Sequence, residues 1–200
     1  MRQPIQKRAR ATRDRLVEVA AYLVRRGGFE ALRVEEVVLG AGVAKGTFFA
    51  HFRDKDALLD LLIGAEIDTL LDAAAARPAP RGIDDLMDAL MPLVRFMASE
   101  RYAFDVILRY SGAAVIEEIG PIAATFVRQD RLVAEWVGDG PFRDDVPPAL
   151  LSEGVQAFLI QTVALEFCAA HQGPGGIEAR LRQYLMAWLL PAAATDRGAG

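Results

Sequence analysis

Apolar residues recur every three to four positions through almost the whole chain, and few stretches alternate at the two-residue period of a half-buried strand. That periodicity confines the fold to packed helices. In ATRDRLVEVAAYLVRRGG, residues 11–28, one helical face collects Leu16, Val19, Ala20, Leu23 and Val24. Thr12 is a suitable N-cap there, and Gly27 with Gly28 a stop. Short helices follow at 34–41 (VEEVVLGA) and in KGTFFAHF. Asp54 can cap a longer one over about 55–77. Further helices are expected over 83–100, 101–112, 113–137 (restarted at Gly120 and Pro121), 147–171 and 177–190. ARPAPRG, GDGPFRDDVPP and QGPGG break the series, and the tail AAATDRGAG should fray. The expectation is an all-α protein of nine helices with no internal repeat.

Composition narrows the class. At 200 residues and 52% hydrophobic content, the chain can bury one or two real cores and is not a disordered polymer. No run of 18 uncharged apolar residues occurs, so no membrane partner is expected. The basic N-terminus lacks the apolar segment of a secretory signal. The single cysteine, Cys168, has no internal partner and reads as an inert thiol in an apolar run, with a redox switch as the alternative. A reducing cytoplasmic location fits.

Charge is distributed unevenly. Residues 1–53 carry a net +6 and residues 54–200 a net −10. A basic head on an acidic body suits a head that meets a polyanion, while the body is repelled by it.

Residues 34–51 supply the matching shape. Gly42 can take positive φ, so the chain reverses sharply after one short helix. Val37, Val38, Phe48 and Phe52 offer apolar faces that hold the second helix on the first and on residues 11–26. This is a helix-turn-helix. Its second helix has small residues at Gly46 and Ala50 and can lie deep in a major groove, with Lys45 near phosphate. A helix this short is marginal alone, which explains its aromatic anchors.

The run GGFEALRVEEVVLGAGVAKGTFFAHFRDKDALLDLL resembles the TetR family of bacterial transcription regulators, over about residues 10–64. The remaining helices fit that family in number, length and character. The resemblance implies two domains: a three-helix DNA-binding domain over 1–54, and a ligand-binding and dimerisation domain over 55–200. It implies a homodimer that places two readers on a palindromic operator of double-stranded DNA, and a cavity for a small-molecule effector. By role it carries Lys45, Gly46, Thr47, Phe49 and His51 over as reading-helix contacts, with Lys55 at the next helix start. Arg8, Arg10 and Arg13 would form an arm to the backbone or minor groove.

Four positions depart from the family pattern. Arg33 stands where a capping Thr is usual and offers charge to phosphate instead. Ala44 replaces a Ser. Phe49 and Ala50 replace a Tyr that is often backed by a His, so a phenol-to-phosphate hydrogen bond is gone. A lost hydroxyl cap costs about 0.5–2 kcal/mol.

In the body, Met91, Arg95, Tyr102, Arg109, Phe126 and Gln161 are the candidate effector contacts. The polar members interrupt apolar runs, although Arg95 and Arg109 have Glu117 and Glu118 as alternative partners. Met and aromatic residues at this spacing also build ordinary cores. Gly154, Ala157 and Ala164 form a flat side suited to a twofold bundle, with Tyr184 and Trp188 as anchors; the same faces would also serve to close the protomer core. The expected function is a ligand-responsive repressor released by a small apolar or amphipathic effector. An enzyme is disfavoured: no nucleophile stands with a base, and His51 and His171 lie 120 positions apart. No cofactor and no metal are expected. The remaining alternative is a protein–protein adaptor that reuses the helix-turn-helix.

Overall fold

The structure is a computed structural model that describes residues 3–111, 119–168 and 175–191. Glu117, Glu118, His171 and the tail from residue 192 lie outside the described residues. Among the described residues there are nine helices and no strand.

The first helix, α1 (Gln3–Ala31), starts nine residues before Thr12. The intervening Gln, Lys, Arg and Ala residues are strong helix formers, so the helix runs through the expected cap. It breaks at Gly28, whose backbone lies at φ 84°, ψ 171°. The Glu100 carboxylate accepts the N–H of Phe29 at 2.8 Å and that of Glu30, capping the turn that restarts there. Then come α2 (Val34–Ala41), α3 (Lys45–His51), α4 (Lys55–Ala75), α5 (Ile83–Met97), α6 (Arg101–Tyr110), α7 (Pro121–Asp139), α8 (Pro148–Glu166) and α9 (Gly176–Leu189). Most starts agree with the sequence reading, whereas several ends fall two or more residues early, where helices fray.

The chain divides into two compact units. The first comprises Met1–Ile67 and Ser99–Ala124, so it takes in the start of α4 and all of α6 besides the three helices before residue 54. Its core is Leu16, Ala20, Leu32, Val37, Phe48, Phe52, Leu58, Leu59 and Ile63, all buried. In it α1 packs on α2 and α6, and α2 on α3. Gly40 permits the first contact: a Cβ there would stand 2.7 Å from Val19 Cγ1.

The second unit comprises Asp68–Ala98 and Thr125–Gly200. Here α8 and α9 pack along each other and α5 packs on both. Leu86, Leu90, Val94, Leu151, Val155, Leu159, Leu181, Leu185 and Leu189 are buried between them. Trp188 lies over Gly154, where a Cβ would meet the indole Nε1 at 2.3 Å, and its Nε1–H donates to Leu151 O at 3.0 Å. Among the described residues, only α8 is long and apolar enough to cross a bilayer, yet a third of it is buried within the protein.

Candidate nucleic-acid interface

The turn between α2 and α3 is built by Gly42, which sits in the left-handed region at φ 63°, ψ 39°. Its N–H donates to Leu39 O at 3.1 Å, and the Val43 N–H to Val38 O at 3.0 Å, which satisfies the last carbonyls of α2. Neither helix has a side-chain cap, because Arg33 and Ala44 occupy the N-cap positions. Packing compensates. Phe48 is fully buried, Phe52 nearly so, and their rings lie 5.5 Å apart. Burying each Phe contributes about 1.5–3 kcal/mol, against about 0.5–2 kcal/mol for each missing cap.

The opposite side of α3 is open. At 100° per residue, Gly46 and Ala50 point directly away from the Phe48–Phe52 seam, with Thr47 and Phe49 on the flanks. Gly46 and Ala50 are exposed, Thr47 is half-buried, and Phe49 is 50% exposed with its ring edge-on to Phe48 at 5.3 Å. A Cβ on Gly46 would meet nothing within 4 Å, so the protein's own packing gives no reason for its smallness.

The charged residues of the reading set are already engaged. Lys45 Nζ lies 2.6 Å from Glu35 Oε1, both groups being exposed. That hydrogen bond and charge hold Glu35 below the usual carboxylate range. Arg33 folds back to donate to Glu30 O at 2.7 Å and Leu32 O at 3.2 Å. Lys55 lies over the Tyr102 ring at 4.2 Å, and burial lowers its pKa. Asp54 caps α4 as expected, accepting the Ala57 N–H at 2.7 Å. Arg8 and Arg10 are exposed on the helical start of α1, and Arg13 stacks on Phe52 at 5.1 Å. His51 is half-buried, and with Arg13, Arg53, Asp60 and Tyr110 it lines a cavity of about 320 Å³ in the first unit.

The six candidate effector residues fall in different settings. Tyr102 donates to Asp56 Oδ1 at 2.8 Å, and Arg109 also pairs with Asp56, both inside the first unit. Burial and the Asp56 carboxylate push the Tyr102 phenol up to about 12, so it remains a donor at neutral pH. In the second unit Met91 and Phe126 are buried, Arg95 is exposed and pairs with Glu178 at 3.4 Å, and Gln161 is exposed. Four polar side chains of that unit are buried among the described residues: Thr125, Gln129, Ser152 and Thr162, of which the Thr162 hydroxyl has no hydrogen-bond partner.

Of the bundle residues, Gly154 and Trp188 meet each other within the protomer. Tyr184 stacks on Phe158 at 4.9 Å, Ala164 is half-buried and Ala157 is exposed. Sequence reasoning missed Glu35, Asp56 and Glu100, whose partners lie 10, 46 or 53, and about 70 positions away. Only Glu35 left a trace, as a carboxylate one short turn from the reading helix.

An all-α chain with a basic three-helix head, a glycine turn and a second short helix open on its outer side belongs to the helix-turn-helix class. A model described as bacterial regulatory proteins, tetR family, matches residues 16–62. It is 27% identical over 104 residues to YvdT of Bacillus subtilis (strain 168), an uncharacterized HTH-type transcriptional regulator; that stretch is 51% of this chain and 53% of YvdT. The chain spans about half the length of the curated relatives it matches over more than half of itself. Among solved structures, Thermus thermophilus FadR, a TetR family repressor in complex with lauroyl-CoA, superposes with a TM-score of 0.62 at 20% identity, covering 94% of this chain and 100% of that one. RolR in complex with resorcinol gives 0.64 at 18%, covering 94% and 92%. These two show the shared all-helical fold.

Proposed function

We propose that this chain is a cytoplasmic, ligand-responsive repressor that binds a palindromic stretch of double-stranded DNA as a homodimer. The observation that carries the reading is the outer side of α3. It lies opposite a buried aromatic seam, is open at Gly46, and sits in a head of net charge +6. Such a surface fits against a polyanion at close range. Residues 1–54 are the reader and 55–200 the regulatory body. Arg8, Arg10, Arg13, Arg33, Thr47, His51 and Lys55 serve as flanking contacts. For Lys45, Arg33 and Lys55 this requires exchanging their present partners for phosphate.

The effector is a small apolar or amphipathic molecule, in keeping with the lauroyl-CoA and resorcinol bound by the two structural relatives. Met91 and Phe126 supply apolar contacts, and the buried Gln129 and Thr162 are better placed than the exposed Gln161 to give polar ones. The dimer face is the exposed stripe of α8 through Leu150 and Ala157, with Met186 of α9: Leu150 is 48% and Met186 46% exposed. Titration of fluorescent duplexes from around the gene with purified protein tests the reading. Affinity should fall steeply as salt rises, with a log–log slope of several units. Absence of salt-sensitive binding would refute it, and a monomer at micromolar concentration would refute the dimer.

A further inference from the structure

The exposed positions of α3 are Lys45, Gly46, Phe49 and Ala50. Only Lys45 among them carries a hydrogen-bonding side chain, and Glu35 holds it at 2.6 Å. Gly46, Phe49 and Ala50 have no polar side-chain atom. Beside these exposed positions, only the half-buried Thr47 and His51 of α3 carry a side-chain donor or acceptor, so few groups of this surface can tell bases apart by hydrogen bonding. One base-edge feature in the major groove is itself apolar: the C5-methyl group of thymine. Position along the helix matters too. Gly46 and Ala50 form the outermost stripe, and nothing lies within 4 Å of where a Gly46 Cβ would be. A stripe without bulk lets α3 sink toward the groove floor, which brings the flanking side chains against the walls. Phe49 is such a flank. Its ring packs at 84° to that of Phe48, with centroids 5.3 Å apart, so its orientation is set from within while half its surface stays in solvent. A ring fixed this way can bury a methyl group with little loss of side-chain freedom.

We infer that Phe49 is a specificity residue that reads thymine methyl groups, so that operators of this protein are marked by thymine at the base pairs facing Phe49. The inference rests on the DNA-reading function proposed above and adds the base chemistry. Replacing thymine by deoxyuridine removes the methyl and leaves every base-edge hydrogen-bonding group in place, which makes it a selective probe.

In the test, the intact protein selects duplexes from a randomised thymine-containing library at fixed salt. A selected duplex is then resynthesised with single deoxyuridine replacements. Affinity should fall about fourfold for each methyl in contact with the ring, the value expected for burying one methyl-sized group. In Phe49→Ala, checked for an unchanged melting temperature, the thymine and deoxyuridine duplexes should bind equally, while salt sensitivity persists. Phe49→Tyr keeps the ring and should keep the discrimination. If wild type binds thymine and deoxyuridine duplexes alike, or if Phe49→Ala discriminates as well as wild type does, the inference is overturned and the DNA-reading function stands. If no duplex is bound at all, that function falls and the inference with it.

Discussion

Gly46 in the α2–α3 pair and Gly154 in the α8–α9 pair use the same residue for opposite purposes. At Gly154 the missing side chain is filled from within: an added Cβ would stand 2.3 Å from the Trp188 indole. At Gly46 the space is left empty, with nothing within 4 Å. A glycine whose room is taken by its own chain serves packing. A helical glycine whose room is unused weakens its helix by about 0.5–1 kcal/mol relative to Ala and gains nothing inside the protein, so its benefit is sought outside. The turn glycine, Gly42, is a third case, set by backbone conformation at φ 63°.

The sharpest way to break this comparison is Gly154→Ala. The methyl forces Trp188 off Leu151 O, and overpacking of this kind costs about 1–3 kcal/mol, at the upper end here because the obstacle is a ring within 2.8 Å. Urea unfolding should show the loss; a stability within about 0.5 kcal/mol of wild type would mean that the α8–α9 seam is soft. Gly46→Ala should act in the reverse sense. Its stability should rise by up to about 1 kcal/mol, whereas affinity for a selected duplex should drop on the order of tenfold, as for one lost contact. A variant that gains stability and keeps its affinity would show that α3 does not approach DNA closely.

A smaller effect separates the engaged cation from its partner. Lys45→Ala should weaken binding to all sequences and reduce the salt slope by about 1. Glu35→Gln should strengthen binding a few-fold by freeing Lys45, with the melting temperature unchanged, since both groups are exposed. Titrating both variants against salt checks the pair, and a Glu35→Gln protein with weaker binding would contradict the competition.

The smallest effect concerns Asp60 of α4, buried against the start of α7, where its Oδ1 accepts the Ile122 N–H at 2.9 Å. Burial raises its pKa above 3.8, against the opposing pull of that hydrogen bond. In the window above 3.8 the folded state therefore binds more protons than the unfolded state, and stability falls as pH rises through it. Asp60→Asn retains the acceptor and should melt slightly higher at neutral pH, with the advantage shrinking as pH falls toward 4. Melting curves that track wild type at every pH would show that the carboxylate bears no desolvation cost.

What the sequence revealed follows from the range of each interaction. The α2–α3 turn was legible because Gly42 and the Val37, Val38, Phe48 and Phe52 seam lie within 16 positions, where periodicity and turn chemistry act locally. The start of α1 was misplaced because Thr12 is a good cap in isolation, yet the Gln3–Ala11 stretch prefers helix. The settings of Tyr102, Arg109, Gly154 and Trp188 were not legible. Their partners Asp56, Leu151 and each other are brought together by tertiary packing over 34 to 53 positions, which no local pattern encodes. Fractional burial separated Phe48 from Phe49, neighbours with the same side chain, only once α3 was docked.

The most direct measurement places p-azidophenylalanine at Phe49, on the flank of α3 where a ring already stands, and a second at the exposed Ala75 of α4 as reference. With a selected duplex at low salt, position 49 should crosslink to DNA in high yield, lose that yield as salt is raised, and exceed position 75 many-fold. A protein that binds the duplex yet crosslinks from position 75 and not from position 49 would contradict the account.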